Sequence, residues 1–384
     1  MAQIERNRFG HYLALAVIAV AVLVYLTPIY WIVATSLKSP SDIIAQVPQF
    51  LFRVTFEHYQ KLMPDEVPGL TYVFIAEALI GMLACFLPLR DMTFARRFAL
   101  LWNGLLILTC LYALATTINY NFLMLAIYTV IVFLLISPQR ATDARRIRLS
   151  LVGIGVLAIV AICTLLAHGG SKYFHQLLNS IIIGFGSTLL AVGFGTLSAY
   201  AFSRFKVAGK EDLLFFILST RMLPPVVVVI PIYLMYSALG LRDTHFGLIL
   251  LYTTFNVSFA VWLMKGFIDE IPKEYEDAAL VDGYTRFQTF VKVVLPQSVT
   301  GIAATAVFCL ITAWNEFAFA LVLTEVGGRA VTAPPSITSA IGSSGVDWGK
   351  IAAATFVFLL PVAIFTFLMR GHLLRGVTFG AVKK

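Results

Sequence analysis

Charge is scarce in this chain of 384 residues: Asp, Glu, Lys and Arg together make up 12%, while hydrophobic residues make up 59% and the mean hydropathy is +0.88. A soluble domain is excluded, because too few polar side chains remain to cover its surface. Cysteine is scarcer still. The four present, Cys85, Cys110, Cys163 and Cys309, sit inside apolar runs without metal-ligand or disulfide spacing, so each reads as a small packing residue. No glycine loop ends in Lys-Ser or Lys-Thr. The nearest run, SGVDWGKI at 344–351, lacks the first glycine and the hydroxyl after Lys350. A nucleophile elbow and a His–Cys metal spacing are also missing, and the six histidines are dispersed, mostly in loops. The chain is therefore expected to be no enzyme by itself, and to hold neither cofactor nor metal.

What fills the sequence instead is apolar runs of about 20 residues, the length needed to cross a bilayer as a helix. Ten are placed, at roughly 11–35, 71–89, 99–117, 120–137, 149–167, 178–202, 213–239, 246–267, 299–324 and 350–370. The fold class is all-α, a polytopic transmembrane helical bundle in the lipid bilayer. The first run has no convincing small-x-small cleavage site after it and reads as a retained helix. Of the 28 Lys and Arg, 20 fall on one side of this layout and seven on the other, with Arg221 alone inside a span. The positive-inside rule then puts both termini in the cytoplasm. Topology accounts for the net charge of +8, so no nucleic-acid partner is invoked.

Between two apolar runs lies a polar, acidic stretch, IPKEYEDAALVDGYTRFQTFVKVVLP, at 271–296. Pro272 suits a first helical turn and Gly283 a C-terminal cap, which predicts one short, three-turn helix. Tyr275, Ala278 and Ala279 fall at i, i+3, i+4 on one small, partly apolar face, and Glu274, Asp277 and Asp282 decorate the others. Alanines permit close approach to a partner's groove. A solvated connector between two spans is the other reading.

The full spacing decides between them. Asp277-Ala278-Ala279, Gly283 four residues later and Val293-Val294-Leu295-Pro296 resemble the EAA loop of the membrane subunits of binding-protein-dependent ABC importers, with aspartate for the usual glutamate and Val293 for isoleucine. Two further blocks resemble the MalG-like permease subunit of carbohydrate importers: 11–62, with TPIYWIVATSLKSPSDI, and 172–384, opening with YFHQLLNSIIIG and AYAFSRFKVAGKEDLLFF. The resemblance implies a six-span core made of 1–63, an N-terminal span and outside segment, and 171–370, which contains the coupling loop 271–296. A cytoplasmic tail, 371–384, follows. Residues 64–170 carry four of the ten spans where the family has a short outside loop; an even number preserves topology, and peripheral packing is expected of them. The resemblance also implies partners: a cytoplasmic ATPase dimer that binds the ATP, a second permease subunit of MalF-like kind, and a periplasmic or extracellular solute-binding protein delivering to segments around 325–349. Contacts to the ATPase are expected from Glu274, Glu276, Asp277, Ala278, Ala279, Asp282, Gly283, Leu295 and Pro296.

Two motifs are candidate pathway walls. STRMLPPVVVVIPIY, at 219–233, places Pro224, Pro225 and Pro231 in one span with Arg221. Prolines free carbonyls that must find partners or line a cavity. An intramembrane arginine needs carbonyls, a carboxylate or headgroups, so Arg221 serves structure, gating or solute. TAWNEFAFAL, at 312–321, offers Trp314, Asn315 and Glu316. Aromatic faces stack on sugar rings and amides or carboxylates take hydroxyls, though an interfacial tryptophan and an interhelical Asn hydrogen bond are the structural alternatives. The tail LRGVTFGAVKK resembles the family's GLTxGAVKG ending, which implies that a flexible strand with Gly376, Gly380 and Lys383 reaches the ATPase; a positive-inside anchor is the alternative. The expected protein is a multi-pass subunit of the bacterial inner membrane, importing a carbohydrate or polyol. An ion-driven secondary transporter would cluster ionisable groups at mid-membrane, where only Glu77, Arg221 and Glu316 are scattered over three spans.

Overall fold

The computed structural model describes residues 2–63 and 171–378, except 223, 326, 339, 343 and 344. The four spans expected within 64–170, with Glu77, lie outside the described residues, as do Gly380 and Lys383. Among the described residues, four helices are long and apolar enough to cross a membrane, or six if each of two bent pairs is one span. The chain divides into two compact units, Met1–Met63 with Ile337–Pro361, and Pro64–Ser336 with Val362–Lys384.

In the first unit, α1 (Ala2–Leu37) is exposed from Tyr12 to Trp31 and buries Ala34 and Ser36 at its end. After the short α2 (Pro40–Ile43), helix α3 (Glu57–Gln60) locks onto that end. Tyr59 OH and Ser36 Oγ share a hydrogen bond of 2.8 Å, and His58 Nε2 lies 2.9 Å from the Lys38 carbonyl. The Lys38 ammonium, almost fully buried, sits 4.8 Å over the Trp31 ring and 5.2 Å over Phe52, where the ring quadrupoles replace lost water. Beyond α13 (Ala333–Thr338), a hairpin of β1 (Ile341–Gly342) and β2 (Gly345–Val346) leads to the last helix, α14 (Trp348–Thr378), whose residues from Val362 on are assigned to the second unit. Asp347 caps that helix: Oδ1 accepts the Lys350 N–H at 3.0 Å while Oδ2 accepts Lys61 Nζ at 3.2 Å. Burial by itself would raise the Asp347 carboxyl, but the Lys350 N–H and the Lys61 ammonium outweigh it and hold the group below its ordinary value of 3.8.

The second unit is built on α4 (Lys172–Arg204), capped by Ser171, lying along α7 (His245–Asp269), capped by Thr244. Small residues let the two backbones close up, as helices must where lipid supplies no hydrophobic drive. A Cβ on Gly195 would collide with the Cβ of Ala260 and stand 3.0 Å from its carbonyl carbon. Ala191, Val192, Ala260 and Cys309 form the buried cluster around this contact, so Cys309 packs as an apolar residue. Asn256 Nδ2 donates to the Cys309 carbonyl at 3.2 Å and ties in α11 (Val299–Trp314).

Two expected single spans are broken. The run 213–239 divides into α5 (Lys210–Ser219) with a 3-10 turn (Thr220–Met222), then α6 (Pro225–Ala238), bent by 94°, because Pro224 and Pro225 cannot donate to the preceding turn. The run 299–324 ends at Trp314 and restarts as α12 (Ala318–Leu323), with Asn315 as C-cap and Glu316 taking the new helix's N–H groups. Residues 374–378 continue α14, so Gly376 lies on a helix and not on the expected flexible strand.

The close contact at Gly195 predicts that Gly195→Val, but not Gly193→Val, overpacks the helix pair at a cost of about 1–3 kcal/mol, since no atom lies within 4 Å of a Cβ at Gly193. Thermal unfolding of the two purified variants compares them directly. In the first unit, Asp347→Ala should lose about 1 kcal/mol of helix capping. With its pKa lowered by folding, Asp347 stabilises above about pH 4 and the contribution fades as pH falls through the folded value; an acid titration of thermal stability should therefore separate wild type from variant near neutrality and bring them together in acid.

Candidate functional site

The acidic stretch folds as a short staircase. After α7 ends, Lys273 serves as backbone N-cap and α8 (Glu274–Val281) makes two turns, one fewer than expected; Pro272 stands just ahead of the cap. Glu274, Glu276 and Asp277 all fall in the first turn, where the positive end of the helix favours carboxylates. At the other end Gly283 takes φ 86°, as its place in the sequence predicts. The Tyr284 N–H donates to the Ala279 carbonyl at 3.0 Å and the Gly283 N–H to Leu280 at 3.1 Å, a Schellman closure. Thr285 and Gln288 then form a reciprocal capping box at the start of α9 (Arg286–Thr289). A π turn (Phe290–Val294) and α10 (Leu295–Gln297) complete the step into α11.

The staircase has an inner and an outer side. Inside, Phe290 packs on Tyr200 with ring centroids 4.7 Å apart, and Val294 is fully buried beside Met264 and Ile268. Glu276 also points inward, 2% exposed. It accepts hydrogen bonds from the Arg204 Nε and from Tyr200 OH, the latter at 3.0 Å. Arg204 Nη2 donates in turn to the Ile268 and Ile271 carbonyls at 3.0 and 2.8 Å, adding to the backbone bond that Ile268 already accepts from the Ile271 N–H. Outside stand Glu274, Asp277, Ala278 and Asp282, around exposed Tyr275, Val281 and Phe287. The outer face interleaves exposed apolar side chains with carboxylates, a composition suited to protein docking.

Of the nine residues expected to meet an ATPase, Glu276 and Ala279 therefore face this chain's own helices, because the face that α8 buries contains Glu276 and Ala279, not Tyr275 and Ala278. Leu295 is half-buried, and Pro296 exposed. Tyr200 and Arg204 were missed: Arg204 reads in the sequence only as one more basic residue at a span end, and nothing local ties it to an acid 72 positions away.

The pathway candidates do not converge. Arg221 is exposed beside the break at Pro224 and Pro225, with its guanidinium 4.8 Å over Phe259. Trp314 is buried in the core. The Asn315 amide donates to the Ile311 carbonyl at 2.9 Å. Glu316 accepts from Tyr252 OH at 2.8 Å and from the N–H groups of Phe319 and Ala320, which makes it the capping group of α12. A hollow of about 460 Å³, lined by Phe185, Leu189, Val192, Phe290 and Phe365 among others, is almost wholly apolar and includes none of these candidates. Two anchors that sequence reasoning did not single out hold the segment 329–331. Asp243, itself at φ 52°, accepts the Arg329 and Ala330 N–H groups, and Asn179, oriented by His245, donates to the Arg329 and Val331 carbonyls.

Similarity to known proteins puts these helices, broken at prolines and joined by an acidic staircase, in the class of ABC-importer permeases. Residues 191–378 match the family described as binding-protein-dependent transport system inner membrane component. The chain is 38% identical over 216 residues, 56% of its length and 78% of the relative's, to the trehalose transport system permease protein SugB of Mycobacterium tuberculosis. It is 36% identical over 215 residues to the probable ABC transporter permease protein y4oR of Sinorhizobium fredii, covering 76% of that protein. With the trehalose/maltose transport system permease protein MalG of Thermococcus litoralis it shares 33% over 206 residues, 53% of this chain and 74% of that one. The fold resembles that of a chain in a bacterial ABC transporter that imports the acidic polysaccharide alginate, with a TM-score of 0.56, 16% identity and coverage of 95% and 96%. The chain belongs to this family and is a multi-pass membrane permease of the sugar ABC-importer type, whose ATPase activity resides in a separate subunit.

Since Gly283 is at positive φ with no atom within 4 Å of the place a Cβ would occupy, substitution there is penalised by backbone strain and not by crowding. Gly283→Val should cost about 1 kcal/mol or more locally, whereas Gly283→Asn, which tolerates that region, should cost less. Protease susceptibility at 280–290 ranks the two: equal cutting would contradict the strained-cap account.

Proposed function

We propose that this chain is one of two permease subunits of an ATP-driven importer for a carbohydrate or polyol, and that α8 with the following π turn transmits closure of a cytoplasmic ATPase pair to the spans. The observation that carries the reading is the outer face of α8. Tyr275, Val281 and Phe287 are exposed on a short staircase whose other side is firmly seated, so the exposed apolar surface is presented on a fixed mount. Scattered surface apolar residues need no explanation, but three large ones exposed on so short a segment, interspersed with Glu274, Asp277 and Asp282, fit a protein partner. ATP closure would bias the spans between outward and inward access only through differential contacts at such a face.

Carbohydrate as the solute class rests on relatives named for trehalose and maltose. A solute-binding protein would deliver it to the side carrying 325–349. With both termini and α8 in the cytoplasm, a single cysteine at Ala278 in a cysteine-free background should be shielded from an impermeant thiol reagent in intact cells, and one at Glu325 should react.

Purification of the tagged chain from its own membrane should bring down an ATPase and a second permease. In the reconstituted complex, Gly283→Val should insert and still bind the solute-binding protein, yet lose uptake of radiolabelled trehalose or maltose, whichever the wild type takes up, and uncouple ATP turnover. Wild-type uptake and wild-type stimulation in that variant would mean that 271–296 is only a connector.

A further inference from the structure

We propose that Glu276, Tyr200 and Arg204 form an internal clamp that makes α8 move as one body with the adjoining ends of α4 and α7; the proposal rests on α8 being the seat of the ATPase stroke. An eight-residue helix is marginal by itself. Of its side chains, only those of Glu276 and Ala279 are buried, and a methyl group cannot hold a helix against load. Glu276 therefore supplies the directional attachment, with each carboxylate oxygen on a different partner: Oε1 on Arg204 and Oε2 on Tyr200.

The clamp extends beyond the ion pair. Arg204 stands at the last residue of α4, and its Nη2 donates to carbonyls of Ile268, in the last turn of α7, and of Ile271, just before α8. One guanidinium thus joins α4, the end of α7 and α8. A cation at that place also meets the negative end of the α7 dipole. Lysine could not replace it: the planar fork directs Nε and Nη2 along separate lines, whereas an ammonium is a single point. The Tyr200 ring completes the seat by packing against Phe290 of the π turn and Phe205, with centroids 4.7 and 5.9 Å away. Both sides of the staircase are then fastened to the same two long helices, α4 through Tyr200 and Arg204, and α7 through its terminal carbonyls.

In this arrangement Glu276 is a positioning residue. It is buried behind the outer face, and its job is to prevent α8 from tilting on its own when that face is pushed. Loosening the clamp should let the ATPase turn over without moving the spans.

The test uses the whole importer in nanodiscs, with spin labels at the exposed positions Lys206 and Ala278, which report the spacing between the segment after α4 and α8. In wild type, one narrow distance should persist in the nucleotide-free and vanadate-trapped states. In Glu276→Gln, and in Tyr200→Phe, which removes a single hydroxyl and leaves the ring packing in place, the distance should broaden or shift on trapping. Stimulation of ATP turnover by the binding protein should fall about tenfold relative to basal turnover in the Gln variant. Arg204→Lys should behave like Glu276→Gln despite keeping the charge. Distances as narrow in Glu276→Gln and Tyr200→Phe as in wild type would overturn the clamp. A label at Ala278 that the ATPase does not immobilise in the wild-type complex would instead overturn the coupling reading on which the clamp depends.

Discussion

Backbone groups without water must be satisfied by the protein itself, and the described part of this chain depends on how that is done wherever a helix stops. Inside the long helices the problem does not arise. At their ends and breaks, single side chains take over. Arg204 covers carbonyls at the end of α7, Glu316 covers the N–H groups that open α12, Asp243 takes the N–H groups of Arg329 and Ala330, and Asn179 donates to two carbonyls of the same segment. Arg204, Asp243 and Asn179 serve distant stretches of backbone, and Glu316 the turn that follows it. These residues make the ends and breaks of the helices tolerable.

The same constraint explains why the rigid and the adaptable parts lie where they do. The α4 and α7 pair, closed by Gly195 against Ala260, has no room for a side chain at that contact. At the break around Pro224 and Pro225, by contrast, α5 and α6 meet at 94° with most side chains exposed, and Arg221 lies against the Phe259 ring. A surface so incomplete in one chain fits a subunit whose other walls are supplied by lipid and by a second permease. The clamp at Glu276 belongs to the rigid part and places α8 on it.

Much of this was legible in the residues. Apolar run length located the four unbroken membrane-length helices among the described residues, since about twenty apolar residues suffice to cross a bilayer. Gly283 announced its left-handed backbone because few other residues adopt it without strain, and the alternation of apolar and acidic positions around it announced a short exposed helix. Pro224 and Pro225 marked a break, which the residues alone suggest is a kink inside one span when it is a sharp bend between two helices. In 312–321 the chemistry of Trp, Asn and Glu that suits a sugar equally suits a buried aromatic, a helix C-cap and a helix N-cap, and only the neighbouring backbone shows that the structure uses them in these ways.

The sequence by itself determined the class of protein, a membrane permease with an exposed acidic loop, because hydropathy and the Asp-Ala-Ala to Gly to Leu-Pro spacing are local properties that a single stretch carries. Only the tertiary structure decided which side of α8 faces out. Three carboxylates in one turn are equivalent on paper, and Glu276 became the inner one because Arg204 and Tyr200, more than seventy residues earlier, are brought against it by the packing of α4 on α7. Long-range pairing of that kind has no periodicity to read, since it depends on where two helices end in space and not on what lies beside them in the chain.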